Sequence, residues 1–191
     1  ANGIVETIGL GHTLFGENRA QALRDKYDAV ASLYPEAEWH FIGYLQKNKV
    51  KYVVGRASMV HSLDSLDLAT ALSNRIDQQR SVGVSLDPLS VLIQIKLGSE
   101  DSKTGIEPET GLKLMEQVME MPNLKLAGLM NIAPLEGEPE QWFAQMATLA
   151  ERAKAEGFPM TEMSMGMSGD MEQAIQYGST IVRVGSDIYW R

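Results

Sequence analysis

What most restricts the fold of this chain is an alternation of two periodicities. Seven short β-rich runs, at residues 13–15, 39–42, 59–63, 91–96, 124–132, 162–167 and 180–184, take turns with segments whose apolar residues recur at helical spacing. The helical segments cover residues 19–33, 48–54, 65–80, 108–121, 139–156 and 170–177. Strands that alternate with helices pair in parallel, because each helix carries the chain back to the start of the next strand. Hairpin meanders and helical bundles are thereby excluded. Ser65 and Asp170 stand where N-caps are expected, and Gly157 and Gly178 where helices should stop.

An open doubly wound sheet and a closed (β/α)₈ barrel both produce this order, so the positions of the polar residues decide between them. Asn18, Gly43, Asp64, Lys96, Asn131, Ser168 and Ser186 each fall at or just beyond the carboxyl end of a different strand. A barrel gathers all those ends at one mouth, which favours an α/β fold of the (β/α)₈ TIM-barrel type. Such a barrel needs eight strands. The chain opens in a helix-like segment, Ile4-Val5-Glu6-Thr7-Ile8, with no initial Met, so the reading is a barrel lacking its first strand, which would precede Ala1. Residues 1–191 are expected to form one N-terminally incomplete domain, a length sufficient for a single continuous core. Glu136-Gly137-Glu138-Pro139 reads as a turn entering a helix.

Composition narrows the function classes. Seventeen Lys and Arg against 25 Asp and Glu leave a net charge of −8, which repels a nucleic-acid backbone unless the basic residues gather in one patch, and no Lys/Arg run gathers them. No apolar stretch reaches the roughly 18 residues of a membrane span. The absence of Cys removes disulfides, thiolate metal sites and Cys nucleophiles, and fits a reducing compartment, with the cytoplasm as the default.

The strongest local signal is Ser164-Met165-Gly166-Met167-Ser168-Gly169-Asp170 before a helix, followed one strand later by Val182-Arg183-Val184-Gly185-Ser186. Small residues after two consecutive strands form a phosphate cup: glycines let backbone N–H groups approach an anion, and the Ser168 and Ser186 hydroxyls donate to it. In barrels the loops after the last two strands are the usual phosphate position. The bland alternative is that Gly166, Gly169 and Gly185 serve tight turns only. Alternation along the last strand puts Ile181, Arg183 and Gly185 on one face, and a guanidinium in an apolar strand must meet an acid, a carbonyl or a ligand. The same alternation puts Leu92, Gln94 and Lys96 together, with Lys96 at the mouth or snorkelling to solvent. His40 lies within an apolar run, where a histidine is more often a satisfied core residue than a catalyst. His12, His40 and His61 have no close spacing and give no metal-ligand set. The methionines at 160, 163, 165, 167 and 171 read as adaptable core filling.

Taken together, Phe15-Gly16-Glu17-Asn18, Trp39-His40-Phe41-Ile42-Gly43 with Leu45-Gln46-x-Asn48-Lys49, His61-Ser62-Leu63-Asp64, Ser102-Lys103-x-Gly105, Gly128-Leu129-Met130-x-Ile132-Ala133, Ser164-Met165-Gly166-Met167-Ser168-x-Asp170 and Gly178-Ser179-Thr180-x-Val182-Arg183-x-Gly185 resemble the pyridoxal phosphate homeostasis proteins over essentially the whole chain. The resemblance implies the alanine racemase N-terminal barrel and a bound pyridoxal 5'-phosphate. It places Ser168, Gly185 and Ser186 at the phosphate, Arg183 opposite the pyridine nitrogen, Asn18 and His40 near the ring, and Met165 and Gly166 in the loop below it. Ser186 stands where many members carry Thr, and Lys96 where many carry Asn. The lysine that holds the cofactor covalently in that family lies on the first strand, whereas all nine lysines here come after the point where that strand should end.

The implied function is a cytoplasmic, monomeric carrier that buffers or delivers pyridoxal phosphate to enzymes that depend on it, and so acts in vitamin B6 and amino-acid or keto-acid homeostasis. A pyridoxal-phosphate-dependent amino-acid racemase is the alternative, and it shares the barrel. Against it stand the missing second β-domain and the missing acid/base tyrosine. A phosphometabolite barrel enzyme is a third reading, and it lacks an identifiable acid/base pair.

Overall fold

The computed structural model describes residues 2–98, 104–134 and 136–189. Ser102 and Lys103 of the motif above lie outside the described residues, as does the side chain of Ser186. Among the described residues seven strands form one sheet: β1 (Leu14–Glu17), β2 (Glu38–Phe41), β3 (Met59–Leu63), β4 (Leu89–Ile95), β5 (Leu124–Asn131), β6 (Glu162–Met167) and β7 (Ile181–Arg183). Each pairs in parallel with the next, in strict chain order. A doubly wound sheet reverses its strand order at a switch point, and no reversal occurs here.

Curvature is visible in the side chains. His61 Nδ1 on β3 lies 2.9 Å from Ser164 Oγ on β6, although two strands separate them in the sheet. Only a sheet rolled on itself brings them together, so the architecture is a nearly closed α/β barrel of seven strands, one short of eight.

The connecting helices are α1 (Asn2–Gly9), α2 (Ala20–Val30), α3 (Val50–Val53) after a 3₁₀ turn at Lys47–Lys49, α4 (Leu66–Ser81), α5 (Pro108–Met119), α6 (Pro139–Ala155), α7 (Met171–Gln176) and α8 (Ser186–Tyr189). Ser65 caps α4 as expected, its hydroxyl accepting the Leu68 N–H at 3.3 Å. Gly157 and Gly178 follow α6 and α7 with φ of 91° and 87°, the conformation of a helix stop. Asp170 departs from expectation. It occupies the N-cap position of α7, but its carboxylate accepts the Met167 N–H at 2.6 Å and so closes the loop behind the helix. Helix α2 ends at Val30, three residues earlier than its periodicity indicates, and runs out in a turn in which the Leu33 and Tyr34 N–H groups donate to the Val30 carbonyl ahead of Pro35.

Two apolar layers follow from strand alternation. The larger lies between sheet and helices, where Val60, Ile93, Leu129 and Met165 meet Leu23, Leu72, Met115 and Phe143. The smaller fills the barrel's interior with Leu92, Ala127 and Met130, flanked by Met59 and Ile132. Ala127 and Met130 share a face despite odd spacing, because Val91 pairs with Leu126 and Leu92 with Gly128, which leaves Ala127 as the extra residue of a bulge.

At the carboxyl end the backbones of β1 and β2 approach closely. A Cβ on Gly43 would overlap the Asn18 carbonyl, and the Gly43 carbonyl in turn accepts the Ser62 hydroxyl at 2.5 Å. The overlap is with backbone, which cannot turn aside as a flexible side chain can. Gly43→Ala is therefore expected to destabilise the chain by about 2–4 kcal/mol, measured as a lower midpoint of urea unfolding. An unshifted midpoint would contradict the close approach.

Candidate functional site

The mouth of the barrel is assembled from strand ends. Met167 pairs with Arg183, so the loops that leave β6 at Ser168 and β7 at Val184 start side by side. No described atom lies within 4 Å of a Cβ built on Gly169 or Gly185, so the space over both glycines is open. Gly166 sits differently: its φ is 90° and a Cβ there would meet the Ala174 Cβ at 2.6 Å, which makes it the contact between β6 and α7. Met165 is fully buried in the outer layer, so it shapes the loop through the strand and not with its side chain at the mouth.

Asn18 is exposed on the rim after β1. The residue before it is anchored more firmly than its sequence indicates. Glu17 is buried, and its carboxylate accepts the N–H groups of Asn18 and Arg19 at 2.9 and 3.0 Å and the Lys26 ammonium. A side chain thus replaces the missing cap of α2 and holds the rim in place. Lys96 is half-buried, with its N–H bonded to the Ile106 carbonyl at 2.8 Å. Beyond β2 and β3 a cavity of about 630 Å³ is lined by Tyr44, Gln46, Asn48, Asp64 and Ser65, and burial pushes the Asp64 carboxyl up from its ordinary range.

Arg183 dominates the interior. Its Nη1 donates to Ser164 Oγ at 2.6 Å and its Nη2 to the Asn131 carbonyl at 2.8 Å, so the expectation that this guanidinium must meet polar partners is met from β6 and β5. Burial pushes its pKa down to about 10, with Asp170 opposing. Asn131 is buried beside it; its Nδ2 donates to the Ile95 carbonyl at 3.0 Å, while its Oδ1 has no partner among the described residues. A buried amide oxygen left unpaired is costly and marks a place where a donor is wanted.

His40 is buried behind this group and does not stand alone. Its Nδ1 is 2.9 Å from His61 Nε2, and its Nε2 is 3.3 Å from Glu38 Oε1. His61, Ser164 and Glu38 were not expected among the site residues. The register explains why: Met59 pairs with His40, so His61 lies two residues further along the same face, a relation invisible without the pairing. Burial lowers the His40 pKa against the opposing pull of Glu38, while the Ser58 hydroxyl, ahead of His40, holds the Glu38 carboxyl below its ordinary value. His61 is pushed from 6.5 to about 3 by burial first, then by His40 and Arg183.

That depression fixes a sign. Unfolded His61 takes up a proton near pH 6.5 and the folded residue only near 3, so its contribution to stability is complete above 6.5 and is lost progressively below it. Between pH 6.5 and 5 the loss from His61 is about 2 kcal/mol. Urea unfolding at both pH values should show a correspondingly smaller acid loss in His61→Gln than in the parent chain, and equal losses would refute a neutral buried His61.

Comparison with known proteins places this geometry. A family model described as alanine racemase, N-terminal domain, matches residues 5–190. The pyridoxal phosphate homeostasis protein of Aquifex aeolicus is 40% identical over 190 residues, covering 97% of this chain and 80% of the relative. That of Escherichia coli strain K12 is 40% identical over 193 residues, covering 99% and 80%. The solved structure of PipY from Synechococcus elongatus PCC7942 with PLP bound superposes with a TM-score of 0.87 at 31% identity, covering 98% of this chain and 86% of that one. A D-threonine aldolase from Filomicrobium marinum, at 16% identity and a TM-score of 0.75, shares the fold alone. With the family model spanning nearly every residue and the relatives matched along their length, this chain belongs to the pyridoxal phosphate homeostasis proteins, built on the alanine racemase N-terminal domain.

Proposed function

We propose that this chain binds pyridoxal 5'-phosphate at the carboxyl-end mouth and acts in vitamin B6 and amino-acid or keto-acid homeostasis as a carrier or regulator, not as a catalyst. The observation that carries the reading is Arg183, seated between Ser164 and Asn131 beside two open glycine loops. Relatives at about 40% identity bear the name of that function, and PipY was solved with PLP bound.

The residues fit the group. The open space over Gly169 and Gly185 admits a phosphate, the Ser168 hydroxyl and the N–H groups of Gly185 and Ser186 donate to it, and Asn131 Oδ1 awaits a donor. Asn18 would stand beside the ring and His40 near it but behind Arg183 and Ser164, out of contact, while Met165 and Gly166 would set the strand end beneath it and Arg183 would face the pyridine nitrogen. Bound pyridoxal phosphate supplies an aldehyde and an electron-withdrawing ring. Because Arg183 only donates hydrogen bonds, it keeps the ring nitrogen unprotonated and the ring a weak electron sink. Racemases of this fold share that arginine, so the carrier reading draws on the name borne by the relatives at about 40% identity.

Residues 1–191 act in this reading as one cofactor-binding domain, monomeric and cytoplasmic, with pyridoxal-phosphate-dependent enzymes as recipients and with neither nucleic acid nor membrane as partner. No helix among the described residues is long and apolar enough to cross a membrane.

Ser168→Ala removes one hydrogen bond to a charged group, worth about 1.5–3 kcal/mol, so titration calorimetry with pyridoxal 5'-phosphate should read a roughly ten- to hundredfold higher Kd. An unchanged Kd rejects the phosphate position. With saturating pyridoxal phosphate, the optical rotation of L-alanine should stay constant. A decay whose rate scales with protein concentration would make the chain an enzyme.

A further inference from the structure

Five polar side chains cross the barrel in one unbroken line. From the carboxyl end they are Arg183 on β7, Ser164 on β6, His61 on β3, and His40 and Glu38 on β2, with successive separations of 2.6, 2.9, 2.9 and 3.3 Å. The three inner members are buried, and Glu38 opens the line at the amino end of the sheet, where Ser58 Oγ donates to its Oε1 at 2.7 Å. A neutral imidazole donates from one nitrogen and accepts at the other, and which nitrogen holds the proton depends on its neighbours.

Here the neighbours decide. A guanidinium has only donors and a carboxylate only acceptors, so the two ends impose one sense on every bond between them. Arg183 donates to Ser164, and the Ser164 hydroxyl donates to His61 Nδ1. His61 then carries its proton on Nε2 and gives it to His40 Nδ1, and His40 carries its proton on Nε2 and gives it to Glu38. The opposite sense would set a lone pair of His40 against the Glu38 carboxylate. A second proton on His40 would set two N–H groups against each other across 2.9 Å.

We propose that Glu38, His40, His61 and Ser164 form a polarised relay that positions Arg183, holding both imidazoles as Nε2–H tautomers and coupling a carboxylate at the amino end of the barrel to the guanidinium at its mouth. None of the four touches the ligand; they are positioning residues. Ser164 and the Asn131 carbonyl hold two different nitrogens of Arg183, which blocks rotation of its plane, and the chain behind Ser164 keeps that hydroxyl oriented as an acceptor for Arg183. Only the last consequence, a fixed donor presented to a pyridine nitrogen, rests on the function proposed above.

The test begins without ligand. Long-range ¹H–¹⁵N correlation spectra of the labelled 191-residue chain at neutral pH should show Nδ1 bare and Nε2 protonated in both His40 and His61, with the His12 signals identified by their loss in His12→Gln. A protonated Nδ1 in either ring overturns the relay. Glu38→Gln, at the half-exposed end where the fold is least at risk, should shift His61 Nδ1 and the Arg183 side-chain N–H signals as well as those of His40; shifts that stop at His40 overturn the coupling. Titration of the same variant with pyridoxal 5'-phosphate should show an affinity loss of about two- to thirtyfold together with a displaced absorption band of the bound chromophore. Unchanged affinity and band refute the action on the ligand site. If the parent chain takes up no pyridoxal phosphate while both tautomers and the long-range shifts appear as stated, the proposed function fails and the relay stands.

Discussion

A guanidinium inside a barrel must have its charge answered from within the protein, and the interior of this molecule is arranged around that requirement. Arg183 reaches inward from the last described strand and finds a hydroxyl on β6 and a carbonyl on β5. Neither partner carries charge, so the desolvation of the cation is offset by oriented dipoles rather than by a neighbouring acid. Asp170 acts on it only at a distance, and its own carboxylate is engaged with the Met167 N–H. A cation left in this condition favours a ligand that offers an acceptor.

The sheet makes those dipoles available. Parallel pairing in chain order sends every strand's carboxyl end the same way, and the roll of the sheet turns seven separate ends into one rim. The rim is held by backbone contacts as much as by side chains. Gly43 lies against the Asn18 carbonyl, Ser62 bonds the Gly43 carbonyl, and Glu17 ties the start of α2 to the end of β1. Such contacts fix the loop residues to the strands they leave, which a site built from strand ends needs if it is to receive a ligand without rearrangement. The interior layer of Leu92, Ala127 and Met130 is small by comparison, and the histidine pair occupies interior space that apolar side chains fill in most barrels.

Several parts of this design are legible in residue order. Periodicity alone identifies the strands, with β3 and β6 matching residue for residue, since side-chain alternation and helical spacing are local properties. The clustering of small and polar residues after strands points to the mouth, and Arg183 in an apolar strand announces a polar partner before any coordinate is known. The motif set identifies the family. Local chemistry misleads at Asp170, a good cap by type whose carboxylate is drawn to a nearer N–H, and at Met165, which belongs to the helix-facing layer because alternation assigns the inner face to Ser164.

His61, Ser164 and Glu38 show where residue order stops. Each is unremarkable in its own segment: one histidine among apolar neighbours, one serine in a methionine-rich strand, one glutamate at a strand start. Their relation depends on the register of β2 against β3 and on the roll that carries β3 to β6, and 103 residues separate His61 from Ser164. Sequence by itself determined the elements and their parallel order, because these follow from periodicity and local residue chemistry, and its motifs pointed to the family by resemblance. Tertiary structure alone decided which polar groups meet inside the barrel, since hydrogen bonds form over about 3 Å and only the closed path of the sheet brings residues from distant segments within that range.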